Sequence, residues 1–403
     1  MRRDIARAAL RGTGVALVGA LAVAALVVPA PPASADTAIT ANEQTFYGYY
    51  RLDAIHSSGY TGDGVTIALV DGPINTQIPE LAGARIQSYS PCAVGSQDKS
   101  WDHGTVIAQV ISSPQFGVAP GANLRAYTLS FAGETTGSDC ALGQWGRGYS
   151  DLALLIEDAL NDGVDVITTS SSYPSDYEGM RWALARAIAS KVPVVACVGN
   201  DSTNNSTDWL SAWGGVVGVG AIETNGLPSD YQNWGRPLST AALARPLARS
   251  GVSQERGEWW GTSFASPVVA GSLALSMQRW PHATGNQIMQ GLARTGVGGN
   301  GGEWNQYTGY GALDIYAMLT TNPTNFPDEN PFMDKGTNTV PSRQDVQDYV
   351  DGVVDPRVVM NDNSYEYLGY DERLALSREH GYPTHLGTSP RFHASNASNA
   401  KKK

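Results

Sequence analysis

Four short runs in this chain are apolar on both faces and stop at a polar residue. GVTIALVD ends at Asp71, NLRAYTLS at Ser130, VDVITTSSS at Ser172 and VPVVACVGN at Asn200. A strand with one wet face alternates apolar and polar side chains, whereas a run apolar throughout reads as a strand buried on both sides, as in a parallel sheet. Helical patterns lie between the runs. YSDLALLIEDALNDG precedes the third and closes on a glycine stop, and YEGMRWALARAIAS precedes the fourth. This alternation predicts an α/β fold, a mostly parallel central sheet covered by helices on both faces and joined by right-handed crossovers. Ligands in such sheets sit beyond the carboxyl ends of the strands. Asp71, the polar stretch Ser170, Ser171 and Ser172, and Asn200 therefore mark where chemistry is to be sought.

The stretch GEWWGTSFASPVVAGSLAL, from Gly257 to Leu275, turns from polar to small and apolar at Ser263, with Pro267 four residues later. A helix starting near Ser263 accommodates that proline in its opening turns, and places the serine where unpaired amides and the positive helix end are found. Such a serine is either a cap or a nucleophile. A nucleophile needs a base, a carboxylate to orient the base, and donors for a developing oxyanion. Asp71 ends its strand, His103 opens a predicted helix in WDHGTVIAQVIS, and Asn200 follows its strand. Each has a plainer reading taken singly: a turn residue for Asp71 and Asn200, a capping or surface residue for His103. It is their conjunction, in the order Asp, His, Ser, that singles them out.

VTIALVDGPI, DHGT, VVACVGN and GTSFASPVVAG resemble the Asp, His, oxyanion-Asn and Ser motifs of the subtilisin-like (S8 family) serine peptidases. GVAPGANL, VGAIE, YQNWG and GYGALDIYAML extend the resemblance over roughly Tyr47 to Leu319. It implies a three-layer subtilisin-like fold and an exported serine endopeptidase working through an acyl-enzyme. Ser263 would attack the peptide carbonyl, His103 would carry the proton, Asp71 would hold the imidazole, and the Asn200 side chain with the Ser263 amide would bind the oxyanion. Ser170, Ser171, Ser172 and Tyr173 would line the substrate groove. Asp201 would lie near the mouth of the pocket for the residue before the scissile bond, favouring Lys, Arg or a polar extended side chain over Asp or Glu there; its plainer reading is a solvated turn residue. No metal or organic cofactor is implied, and no acidic loop has the spacing of a known calcium motif.

The chain departs from the family's pattern in several places. Gly72-Pro73 follows the Asp where the family has Ser or Thr, Val106 and Gln109 stand after HGT, SSSYP replaces a Gly-Gly ending, and ALA at Ala242 to Ala244 replaces APG. These altered neighbours keep a second class open, a catalytically silent subtilisin fold that binds or scaffolds. A serine esterase on another α/β fold needs a G-x-S-x-G elbow, and the nucleophile stretch here is GTSFA.

With 403 residues and a formal net charge of −11, the chain can bury a large core and is poorly suited to nucleic acid or an anionic membrane. Residues 1–35 have a basic start, an apolar centre and the ending Ala33-Ser34-Ala35, and read as a cleaved signal peptide; the alternative is an uncleaved anchor. The expected order is signal peptide 1–35, short extension 36–46, peptidase domain 47–320, and a polar, partly disordered extension 321–403. Expected partners are protein or peptide substrates outside the cell or at its envelope, with no stable membrane insertion after signal cleavage and the oligomeric state left open. An extension of this length is shorter than the family's inhibitory prodomain, which is a likeness to the mycosin-like branch, although that branch's carboxyl-terminal membrane helix has no counterpart. Of three cysteines, Cys197 lies in an apolar run, while Cys92 and Cys140 lie in polar, loop-like settings that suit a disulfide in an oxidising compartment.

Overall fold

All neighbouring strands of the central sheet run parallel. They are β1 (Thr66–Asp71), β2 (Ile86–Tyr89), β3 (Asn123–Thr128), β4 (Val166–Thr169), β5 (Val194–Cys197), β6 (Val217–Ile222) and β7 (Thr240–Leu243), in the spatial order β7-β6-β5-β4-β1-β3-β2. The structure, a computed structural model, describes residues 38–142, 147–148, 151–170, 177–207, 209–243, 245–299, 302–336, 339–351, 366–367 and 384–385. The helices are α1 (Thr45–Tyr49), α2 (Leu52–Ser57), α3 (Asp98–Ser112), α4 (Leu152–Asn161), α5 (Tyr177–Ala189), α6 (Thr262–Arg279), α7 (Gly285–Thr295), α8 (Ile315–Thr320) and α9 (Arg343–Asp351).

The doubly apolar runs have a direct structural cause. Along β1, Ile67 and Leu69 enter one core together with residues of α3, α6, α7 and α8, while Ala68 and Val70 enter a second core with residues of α4 and α5. Successive strand side chains point to opposite faces, so a strand feeding two cores needs an apolar residue at every position. The result is the three-layer α/β fold expected from the sequence. β1 lies between β3 and β4, and from there the chain builds outward first to one side and then to the other. Such a switch point opens a crevice at the carboxyl edge of the sheet.

The segments flanking the sheet are tied to it. Ile39 and Phe46 are buried in the first core, and the Ile39 amide donates to Glu80, itself in a buried ion pair with Arg249. After α8, Asn330 donates to the Gly215 carbonyl, Phe332 joins the first core, and Arg181 of α5 pairs with Asp345 of α9. Cys92 and Cys140 form a disulfide with Cα atoms 5.0 Å apart, and Cys197 is free and buried. Among the described residues, no helix is long and apolar enough to cross a membrane.

Candidate active site

Parallel pairing brings three strand ends to one edge. Val70 of β1 pairs with Thr169 of β4, which pairs with Ala196 of β5. Asp71, Ser170 and the Cys197 to Asn200 turn consequently emerge side by side. α3 and α6 pack against each other above this edge, on the same face of the sheet. Small residues let α6 approach closely: a side chain on Gly271 would come within 2.8 Å of Val118, and Ala265, Ala270 and Ala274 are fully buried.

Asp71 is fully buried. Its Oδ1 accepts from His103 Nδ1 at 2.8 Å and from the Gly72 amide at 2.7 Å, and its Oδ2 is buried with no hydrogen-bond partner among the described residues. Gly72 stands where a hydroxyl residue was expected by resemblance, and the reason is steric. A Cβ there would lie 2.0 Å from the Ser100 carbonyl oxygen, because the turn after β1 packs backbone to backbone against the start of α3.

His103 does not open its helix, as the sequence suggested; α3 starts at Asp98, so His103 lies in the second turn. The helix is extended by the turn Asp98 to Trp101, and Glu134 fastens its start by accepting from the Gln97 amide and the Ser100 hydroxyl. Burial, the largest influence on the His103 imidazole, favours its neutral form, but the charge of Asp71 and the hydrogen bond to it together outweigh burial and raise the pKa above its ordinary value. The ring also packs against Phe264, with centroids 5.5 Å apart.

Ser263 is the second residue of α6 and is not its cap; that position belongs to Gly261, whose φ of 130° favours glycine. Pro267, inside the helix, has no N–H to give to the Ser263 carbonyl four residues back. That carbonyl accepts instead from the Ser170 hydroxyl at 2.9 Å, so Ser170 fixes the backbone of Ser263. Ser263 Oγ rests 3.9 Å from Cys197 Sγ and makes no hydrogen bond with His103. Burial pushes the Cys197 thiol up to about 12, leaving it uncharged beneath the serine.

Asn200 is oriented by a residue the sequence reading passed over. Its Oδ1 accepts from both the amide and the hydroxyl of Thr262, at 2.8 and 3.0 Å. A backbone amide can only donate, so the oxygen of the Asn200 side chain faces Thr262 and its NH2 is directed elsewhere. The Thr262 hydroxyl also accepts from the Gly199 amide, fastening the turn after β5 to the start of α6. The sequence signal was the small polar residue between Gly261 and Ser263. Asp201 is exposed, and its carboxylate accepts from Trp209 and Asn233, both at 3.2 Å. Ser171, Ser172 and Tyr173 lie outside the described residues. No group of three or more His, Cys, Asp or Glu side chains suited to a metal ion occurs among the described residues.

A buried carboxylate on an imidazole, beside a serine at a helix start and an amide with a free NH2, can carry out nucleophilic acyl transfer. The sequence model of the subtilase family matches residues 62–311. Subtilisin E of Bacillus subtilis (strain 168) is 29% identical over 253 residues, which are 61% of this chain and 64% of subtilisin E, so the chain spans less than two thirds of that relative's length. Among solved structures, MycP1 from Mycobacterium smegmatis superposes with a TM-score of 0.57 at 22% identity, covering 76% of this chain and 91% of MycP1. Fervidolysin from Fervidobacterium pennivorans superposes with a TM-score of 0.53 at 23% identity, covering 67% of this chain and 45% of fervidolysin.

Proposed function

The chain belongs to the subtilase family, and on that premise we propose that it is an exported serine endopeptidase with Asp71, His103 and Ser263 as its triad. The observation that carries this reading is the hydrogen bond from His103 Nδ1 to the buried Asp71, which leaves Nε2 as the basic nitrogen. For the reaction, the Ser263 hydroxyl would leave Cys197 and turn to His103 by rotation about the Cα–Cβ bond. Ser263 Oγ then attacks the peptide carbonyl carbon as its proton passes to Nε2, and Asp71 stabilises the imidazolium. The Asn200 NH2 and the Ser263 amide bind the carbonyl oxygen as it gains charge. Collapse expels the amine, which takes the proton from His103, and a water molecule activated in the same way releases the acyl group.

The domain limits, 47–320 with a signal peptide at 1–35, belong to this proposal, as does a site of action outside the cell or at its envelope. The likeness to MycP1, described as a component of a type VII secretion system, supports the second location. Peptides are the substrates, and the exposed Asp201 favours Lys or Arg before the scissile bond; a cleavage-site profile that Asp201→Asn leaves unchanged removes that preference from the reading. The competing reading, a silent fold, draws on the resting contact between Ser263 and Cys197. Steady-state kinetics per titrated site separate the two. Asn200→Leu should lower kcat far more than it raises KM, by on the order of 10² to 10³, a magnitude taken from subtilisin itself. An unchanged kcat removes Asn200 from the oxyanion site, and absence of peptide hydrolysis by the folded protein leaves only the silent fold.

A further inference from the structure

At the opposite end of α6 lies a cavity of about 390 Å³ that the proposed chemistry does not use. Arg279, in the last turn, is sixteen residues beyond Ser263, which at the helical rise is about 24 Å away. The cavity is framed by Tyr50, Ile55, Tyr60, Tyr316 and Leu319. Arg51 and Arg279 are among its lining residues, and no Asp or Glu among the described residues lines it. Its size and its apolar walls with a few polar groups are those of a small-ligand site.

Neither arginine is neutralised by a carboxylate, a state they share with Arg236 and Arg294, but these two line one cavity together. Arg85, Arg125, Arg186 and Arg249 each have a carboxylate partner, whereas neither Arg51 nor Arg279 has one among the described residues. Arg279 is held by ring faces instead, 4.1 Å from the Trp280 centroid and 5.7 Å from that of Tyr60. Aromatic faces orient a guanidinium without neutralising it, so its charge stays available to an incoming anion. Arg51 adopts φ 54°, a conformation uncommon outside glycine, between α1 and α2. Its neighbour Tyr50 is anchored there, accepting from the Leu243 amide at 2.8 Å. The net charge of −11 opposes a multiply charged ligand more strongly than a singly charged one.

We propose that this cavity binds an organic carboxylate with an apolar body. Arg51 and Arg279 take the carboxylate, and Tyr60, Tyr316, Ile55 and Leu319 enclose the body. The site is independent of the hydrolytic reading and does not require it.

Calorimetric titration of the full chain with hippurate and with its neutral amide, hippuramide, tests the assignment. Hippurate should bind saturably at one site, with the amide at least about tenfold weaker because charge-assisted hydrogen bonds are lost. Arg51→Gln and Arg279→Gln should each weaken hippurate by about tenfold, and inorganic phosphate should not displace it. Tyr316 is 67% exposed, so Tyr316→Ala preserves the fold and should also weaken binding, which keeps the test decisive if an arginine variant misfolds. Equal affinity for acid and amide, displacement by phosphate, undiminished binding in the folded variants, or no binding in the millimolar range overturns the proposal.

Discussion

The proposed catalysis and the stability of the fold make opposite demands on His103. Asp71 raises its pKa above the ordinary 6.5, so the folded state holds a proton more tightly than the unfolded chain. The associated stabilisation is present in full below 6.5 and is lost as pH rises through the folded value. Hydrolysis needs the neutral ring, so kcat/KM should rise with pH along an acid limb centred above 6.5, while stability falls over the same window. A pH–rate profile with its acid limb at or below that value contradicts the assignment. Gly72 yields a second outcome at this scale. Gly72→Ser matches the family's pattern but drives a Cβ into the Ser100 carbonyl, and should cost about 1–3 kcal/mol in urea unfolding without raising kcat. An unaltered midpoint shows that the turn has room to move. Asp71, Asn200 and Ser263 stand at strand ends and a helix start that the sequence marks, whereas His103, expected at a helix start, lies in the second turn of α3 because the turn Asp98 to Trp101 precedes it. Thr262 and Ser170 were not legible as orienting groups, because their partners lie 62 and 93 residues away in the chain and only the folded backbone brings them together.

β1, β3, β4 and β5 were legible as strands, whereas β6 and β7, which are buried throughout, were not, and the difference is one of composition. β1 (TIALVD), β4 (VITT) and β5 (VVAC) are rich in Val, Ile, Leu and Thr, and β3 (NLRAYT) keeps Leu and Tyr among its polar residues, whereas β6 (VGVGAI) holds two glycines and β7 (TAAL) two alanines, residues with weak strand preference that only pairing with neighbours keeps extended. β2 (IQSY) is the exposed edge and lacks the doubly apolar signal for that reason. The polar stretch after α8 read as a linker or wrapping segment, and its aliphatic-poor composition concealed how specifically it is held. Lys335 in that stretch is buried, and donates to the Pro237 carbonyl and the Ser239 hydroxyl, both at 2.9 Å. Burial lowers its pKa from 10.5 to about 7, so between those values the unfolded chain binds more protons. Stability should therefore rise with pH from about 7 toward 10.5, and Lys335→Met should flatten that slope. Identical slopes in thermal unfolding of the two proteins rule out a buried, ionisable Lys335.

Across the whole molecule, the sheet sets the site and the helices complete it. Three adjacent parallel strands deliver Asp71, Ser170 and Asn200 to one edge, and two packed helices bring His103 and Ser263 above it. The fold was legible at this scale because alternation of buried strands with helices leaves few topologies. The chain belongs to the subtilase family, and Ser263 is the residue that the proposed chemistry requires to react. The most direct measurement is covalent labelling of the folded, full chain with a fluorophosphonate, followed by peptide mass mapping. The account predicts a single adduct on Ser263, slowed in His103→Ala and absent in Ser263→Ala. An unlabelled wild-type protein, an adduct on another residue, or labelling of Ser263→Ala at the wild-type rate would contradict it.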